Sequence, residues 1–131
     1  MKHVIPLALL ATCGFAAAET PRQIADGYAA TQAAGFQPSA QRGGEFYSRK
    51  FGVSEKMPAC AACHTEQPAQ SGRHAITGKD IKPLAPVANA DRFTDPAKVE
   101  KWFTRNCKEV VGRECSTAEK ADFVAFLMEK R

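Results

Sequence analysis

Cys60-Ala61-Ala62-Cys63-His64 decides how this chain folds. Two cysteines with two residues between them, followed at once by a histidine, form the attachment pattern of a c-type haem. The spacing has a chemical reason. Each thiol adds across one vinyl group on neighbouring edges of a single porphyrin. The next residue then sits under the iron, where an imidazole nitrogen binds as the proximal ligand. Two other chemistries use close cysteine pairs. Zinc wants four ligands, usually as two close pairs, yet Cys107 and Cys115 have no histidine near them. A thioredoxin-type redox pair wants a βαβ setting, which is missing here. The motif therefore predicts one covalent haem c held by Cys60 and Cys63, with His64 as an axial iron ligand.

The chain opens Met1-Lys2-His3 and then runs almost without polarity from Val4 to Phe15 before Ala16-Ala17-Ala18. This is the pattern of a cleaved secretory signal peptide. The apolar run is too short to span a bilayer, which needs roughly 20 apolar residues, so no stable membrane insertion is expected. Cleavage after Ala18 divides the chain into a leader, 1–18, and one small domain, 19–131, and places that domain in the periplasm. Cys13, a weak lipoprotein signal, would leave with the leader. Only Lys2 among the charged residues lies in the leader, so the net charge falls from +4 to +3. That balance, with no dense basic run, argues against nucleic-acid binding, while the cations are able to steer an acidic redox partner.

Five cysteines are present. Cys13 leaves with the leader and Cys60 and Cys63 take the haem. Cys107 and Cys115 remain in an oxidising compartment and are expected to pair as a disulfide. The domain reads as all-α. Thr20-Pro21 starts a first helix with Ile24, Ala25 and Tyr28 inside. Ser39 caps a second, running to about Phe51 with Gly43, Phe46 and Tyr47. Asp95-Pro96 starts a third. Ser116-Thr117-Ala118-Glu119 is a capping box opening the last, whose inner face is Phe123, Val124, Phe126 and Leu127. Glu66 to Thr94 shows no sustained period. So long an irregular stretch suits a segment that wraps a ligand.

What faces His64 across the iron is less plain. Met57 lies too close to Cys60 to cross the ring, Met128 belongs to the last helix, and His74 sits in the wrapping segment as the route to a bis-histidine carrier. On the third helix, with Val99 as origin, Trp102 falls at about −60°, Phe103 at about +40°, Asn106 at about −20° and Cys107 at about +80°. Asn106 thus falls inside the apolar stripe. By pattern alone, a buried amide bonded to backbone is the simpler account; an oxygen aimed at ferric iron is the other.

Longer strings add to this. They are Thr77-Gly78-Lys79-Asp80-Ile81-Lys82-Pro83-Leu84-Ala85-Pro86, Asp91-Arg92-Phe93-Thr94-Asp95, Val99 to Cys107, Val111-Gly112-Arg113-Glu114-Cys115 and Glu119 to Leu127. With the haem motif, they make the chain from Ala40 to Leu127 resemble the sphaeroides haem protein family of class I-like monohaem cytochromes c. The resemblance implies a small class I-like cytochrome c fold with helices wrapped around one haem. It implies His64 as proximal ligand, Asn106 as distal ligand in the ferric state, and the Cys107–Cys115 disulfide beside the haem. In that family the asparagine lets go on reduction, leaving ferrous iron open to oxygen or nitric oxide. A related group carries histidine where Asn106 stands. The family association also implies a dihaem cytochrome c or a membrane cytochrome b as redox partner. Class I-like cytochromes orient the proximal histidine with a downstream proline carbonyl; Pro83 and Pro86 are the candidates, and Trp102 is a further neighbour of the site. Arg73, Lys79 and Arg92 are candidates for the haem propionates. The resulting expectation is an electron carrier whose distal side opens on reduction. An enzyme converting oxygen or nitrogen species would want a distal acid–base group, for which His74 is the only neutral-pH candidate.

Overall fold

Thr20 opens the first helix. Its hydroxyl accepts the Gln23 N–H, the Gln23 side chain returns to the Thr20 N–H, and Pro21 occupies the first turn of α1 (Pro21–Ala29). Both exchanges satisfy donors that a helix start leaves free. The structure is a computed structural model and describes residues 17–130. The expected leader, apart from Ala17 and Ala18, and Cys13 lie outside the described residues.

Ser39 caps α2 (Ala40–Ser48) by accepting the Arg42 N–H. This helix stops short of the expected Phe51. Arg49 turns extended (φ −64°, ψ 133°), and the Phe51 N–H bonds instead to the Pro58 carbonyl at 2.9 Å. Phe51 then packs edge-on against Phe46, ring centroids 5.3 Å apart. A tertiary pairing ends the helix where sequence periodicity would continue it.

The haem motif forms a single turn, α3 (Ala61–His64). The stretch from Glu66 to Thr94, expected to be irregular, holds a small antiparallel hairpin. Strands β1 (Gly72–Arg73) and β2 (Asp80–Ile81) place Gly72 opposite Ile81 and Arg73 opposite Asp80. Two-residue strands are too short to leave an alternation in the sequence. Asp95 caps α4 (Pro96–Asn106), which continues into a π-helical turn over Cys107–Val111 closed by Gly112 at φ 79°. Ser116 and Glu119 form the capping box of α5 (Thr117–Met128). The architecture is mostly helical with that one small sheet. Among the described residues, no helix is long and apolar enough to cross a membrane.

The core is built around α5, with α1 and α2 packed against it. The sequence pattern predicts one inner face for α5. In the structure every residue from Lys120 to Leu127 is buried, so the helix has no solvent face over that span. Two of these residues are charged, and each is paired. Lys120 meets Glu100 at 2.6 Å. Asp122 accepts from Arg42 at 2.7 Å and from the Ser39 N–H at 2.7 Å. Pairing is the condition for burying such groups.

The α2–α5 contact depends on a missing side chain. A Cβ on Gly43 would collide with the Asp122 carbonyl and with Phe126 Cβ. Gly43→Ala should therefore destabilise the fold by about 1–3 kcal/mol. Gly27→Ala is the contrast, because nothing lies within 4 Å of the added methyl in α1; it should stabilise by about 0.4–1 kcal/mol. Urea unfolding of the two variants checks both signs.

A second expectation concerns acid. Burial raises the Glu100 carboxyl, but hydrogen bonds from Lys120 and Tyr28 outweigh it and hold the group below its ordinary 4.5. A value depressed by folding means that the contribution to stability is present above the unfolded pKa and is lost as pH falls through the folded one. Denaturation midpoints from neutral pH down to about pH 3 should fall more steeply for the parent than for Glu100→Gln. Equal slopes would remove Glu100 from the acid response.

Candidate functional site

One helical turn joins the motif residues: the His64 N–H bonds to the Cys60 carbonyl at 3.1 Å and the Cys63 N–H to the same oxygen at 3.3 Å. Cys60 and Cys63 are both free thiols and half-buried. Burial pushes the Cys60 thiol up to about 11. A redox-active Cys-x-x-Cys pair is favoured by a lowered thiol instead, so this environment does not favour the thioredoxin alternative. No group of three or more His, Cys, Asp or Glu among the described residues is placed to hold a metal ion, and the zinc alternative lacks its further ligands.

Two elements press on this turn from outside the motif. A Cβ on Gly72 would collide with the Cys63 carbonyl and crowd His64 Cα, so β1 lies directly on the motif backbone. The next hairpin residues follow, and the Ala75 N–H donates to Cys63 Sγ at 3.3 Å. From α2, the Tyr47 hydroxyl donates to the Thr65 carbonyl at 2.6 Å. Burial, then the charges of Arg92 and His74, lowers the His64 imidazole to about 4. The side chain is therefore neutral at physiological pH, the form in which imidazole ligates iron.

Of the two downstream prolines, Pro83 is engaged by other donors. The Pro83 carbonyl accepts from Asn89 Nδ2 at 3.2 Å and from Arg92 Nε at 3.0 Å. Arg92 also donates to the Lys82 carbonyl at 2.9 Å. Among the described residues, the His64 ring bonds to neither Pro83 nor Pro86. Of the three propionate candidates, Arg73 pairs with Asp80 at 3.1 Å, Lys79 is exposed, and Arg92 is half-buried beside His64.

On α4 the buried stripe is Val99 and Phe103, followed by Cys107 and Val111 in the π turn. Asn106 was expected within this stripe; it is exposed. The centre of the stripe follows Phe103 and Cys107, which leaves Asn106 on a flank with Trp102 one turn earlier. Trp102 is 43% exposed, with the Arg105 guanidinium 5.7 Å from its ring centre. The Asn106 side chain makes no capping bond at the head of the π turn. Its neighbour Cys107 is bonded to Cys115, Cα atoms 5.7 Å apart. Gly112 completes the loop, with Val53 Cγ2 2.8 Å from where its Cβ would stand.

The other axial candidates are engaged elsewhere. Met57 is buried and Met128 packs against the core cluster. His74 Nδ1 accepts the N–H groups of Ile76 and Thr77 at 3.2 and 3.3 Å. Its hairpin lies on the Cys63–His64 backbone, which places it with the proximal residue rather than opposite it.

These features fit haem c. Two unpaired thiols stand one turn apart and a neutral imidazole follows them. Val53, Ile76, Val87 and Trp102 are the large apolar side chains left exposed among the described residues. Sequence reasoning missed Tyr47 and Gly72 as neighbours of the motif. Tyr47 read as core, and a lone glycine in an irregular stretch carries no signal of what it touches.

A haem-attachment turn inside a small helical domain defines a c-type cytochrome. The family model described as a domain of unknown function, DUF1924, matches residues 33–127. The cytochrome c-type protein SHP of Cereibacter sphaeroides is 44% identical over 127 residues, covering 96% of each chain. Cytochrome c'' of Methylophilus methylotrophus is 50% identical over 92 residues, 70% of this chain and 64% of that protein's length. The structure of oxidised SHP, described as an oxygen binding cytochrome c, superposes with a TM-score of 0.75 at 45% identity, over 82% of this chain and 95% of that one. The solution structure of cytochrome c'' gives 0.72 at 40% identity, over 84% and 93%. The chain belongs to this SHP and cytochrome c'' family of haem c proteins.

The hairpin contact supplies a test. Gly72→Ala should cut the yield of haem-bearing protein severalfold while leaving helical content in place. Haem-stained gels and the ratio of haem to protein absorbance measure it; an unchanged ratio would remove the hairpin from the attachment site.

Proposed function

We propose that the protein is a periplasmic electron carrier with one haem c, whose distal ligand is Asn106 and whose distal side opens on reduction. Haem c, when bound, supplies an iron that alternates between ferric and ferrous states and takes a small diatomic such as oxygen or nitric oxide where an axial position is free. Cys60 and Cys63 would hold it. His64 would supply a neutral imidazole, and Asn106 would supply an amide oxygen.

The observation that carries this reading is the state of Asn106. Its side chain is exposed and makes no capping bond where α4 passes into the π turn. π turns inside helices concentrate at functional sites. The Cys107–Cys115 link tethers the next residue, so the amide is carried on a fixed stem while remaining free itself. A carboxamide oxygen is a hard, weak donor. It suits ferric iron better than ferrous, and its hold weakens when an electron arrives.

The relatives support the same reading. SHP is described as an oxygen binding cytochrome c, and the solution structure of cytochrome c'' is associated with haem-ligand detachment. The expected leader and a disulfide, which persists in oxidising compartments, support export. In this reading the redox partner is a dihaem cytochrome c or a membrane cytochrome b.

Ferric and ferrous spectra of the parent and of Asn106→Ala test the assignment. The parent should be low-spin when ferric and should take up carbon monoxide only when ferrous. Asn106→Ala should be high-spin or water-ligated when ferric. A variant with the parent's ferric spectrum would remove Asn106 from the iron, and a ferrous parent that ignores carbon monoxide would sink the opening step.

A further inference from the structure

Thr65, the residue after His64, stands at φ 64° and ψ 166°. This region belongs essentially to glycine, and a β-branched side chain is strained there. Strain of this kind persists only where the surroundings over-determine the backbone. Here they do so from three sides. The Thr65 hydroxyl accepts the Gln67 N–H at 3.1 Å and donates to the Gln67 carbonyl at 2.9 Å. The Thr65 carbonyl accepts the Tyr47 hydroxyl at 2.6 Å. Gly72 closes the near side of the Cys63–His64 step.

Tyr47 is itself fixed. It is 1% exposed, with ring centres 5.2 Å from Phe126 and 6.0 Å from Phe123. A buried phenol needs a partner for its hydroxyl, and this one is aimed at the strained residue. The attachment chemistry requires nothing of the kind, since it is complete at His64.

We infer that Tyr47 is a positioning residue for His64: its hydroxyl pins the strained Thr65 carbonyl and thereby fixes the backbone from which the proximal imidazole projects. The inference rests on His64 being the proximal ligand. α2, which contributes nothing to the attachment motif, thus sets the orientation of the axial ring. With the hydroxyl gone, Thr65 relaxes and the imidazole samples a wider range.

Four haem-bearing full-length proteins test it: the parent, Tyr47→Phe, Thr65→Gly and the double variant. Phenylalanine keeps the packed ring and removes only the hydroxyl. In the Thr65→Gly background, which holds no strain but keeps the carbonyl, Tyr47→Phe should lower the folded-to-unfolded ratio by about fivefold to tenfold. In the parent background, where relaxation of Thr65 returns part of the lost bond, the same change should cost less than about twofold. The ferric low-spin electron paramagnetic resonance signal, which depends on ring orientation, should broaden or split in Tyr47→Phe. Additive stability effects would overturn the inference, and so would a ferric signal that superposes on the parent's. A His64→Gly protein that kept the parent's ferric spectrum would instead overturn the proximal-ligand reading itself. That failure is distinguishable, because the stability cycle makes no use of the iron.

Discussion

Gly43 lets α2 lie directly on the backbone of α5, and the geometry of both sides of the site descends from that contact. A side chain at position 43 would meet the Asp122 carbonyl. The approach is secured at the start of α2, where the Asp122 carboxylate takes the Ser39 N–H and the Arg42 guanidinium. One turn beyond Gly43, on the same face, Tyr47 is carried to the residue that follows His64. Phe123 of α5, which also packs against Tyr47, meets Phe103 edge-on at 5.5 Å and so links this contact to α4. Asn106 and Cys107 follow at the end of that helix. One helix–helix approach therefore indexes the proximal turn and the distal helix to each other.

The two sides are built to different standards of rigidity. The proximal turn is clamped by a hairpin, a tyrosine and a strained threonine, and its imidazole is desolvated. The distal flank of α4 is exposed at both Trp102 and Asn106. What order it has comes through the covalent chain, by way of the disulfide at Cys107 and the left-handed Gly112. This difference in rigidity is what the proposed redox-linked opening would need.

Much of this was legible in the sequence, for local reasons. The cofactor, and the expectation that Cys60, Cys63 and His64 hold it, follow from spacing within five residues. The helix starts at Thr20, Ser39, Asp95 and Ser116 follow from capping chemistry confined to one turn. Where a feature depended on a distant residue, the sequence fell silent or misled. Periodicity ran α2 on to Phe51 because it carries no record of the Pro58 carbonyl. It gave α5 a single inner face because it does not show that α1 and α2 pack on the same helix. It drew Asn106 into the apolar stripe because it does not locate the centre of that stripe. Gly72 and Tyr47 were ordinary letters until folding laid them on the haem turn. The sequence alone determined which group is bound and where the helices start, because attachment and capping chemistry act over a few residues. Only the tertiary structure decided how firmly each side of that group is held, because close approach, burial and strain arise between residues far apart in the chain.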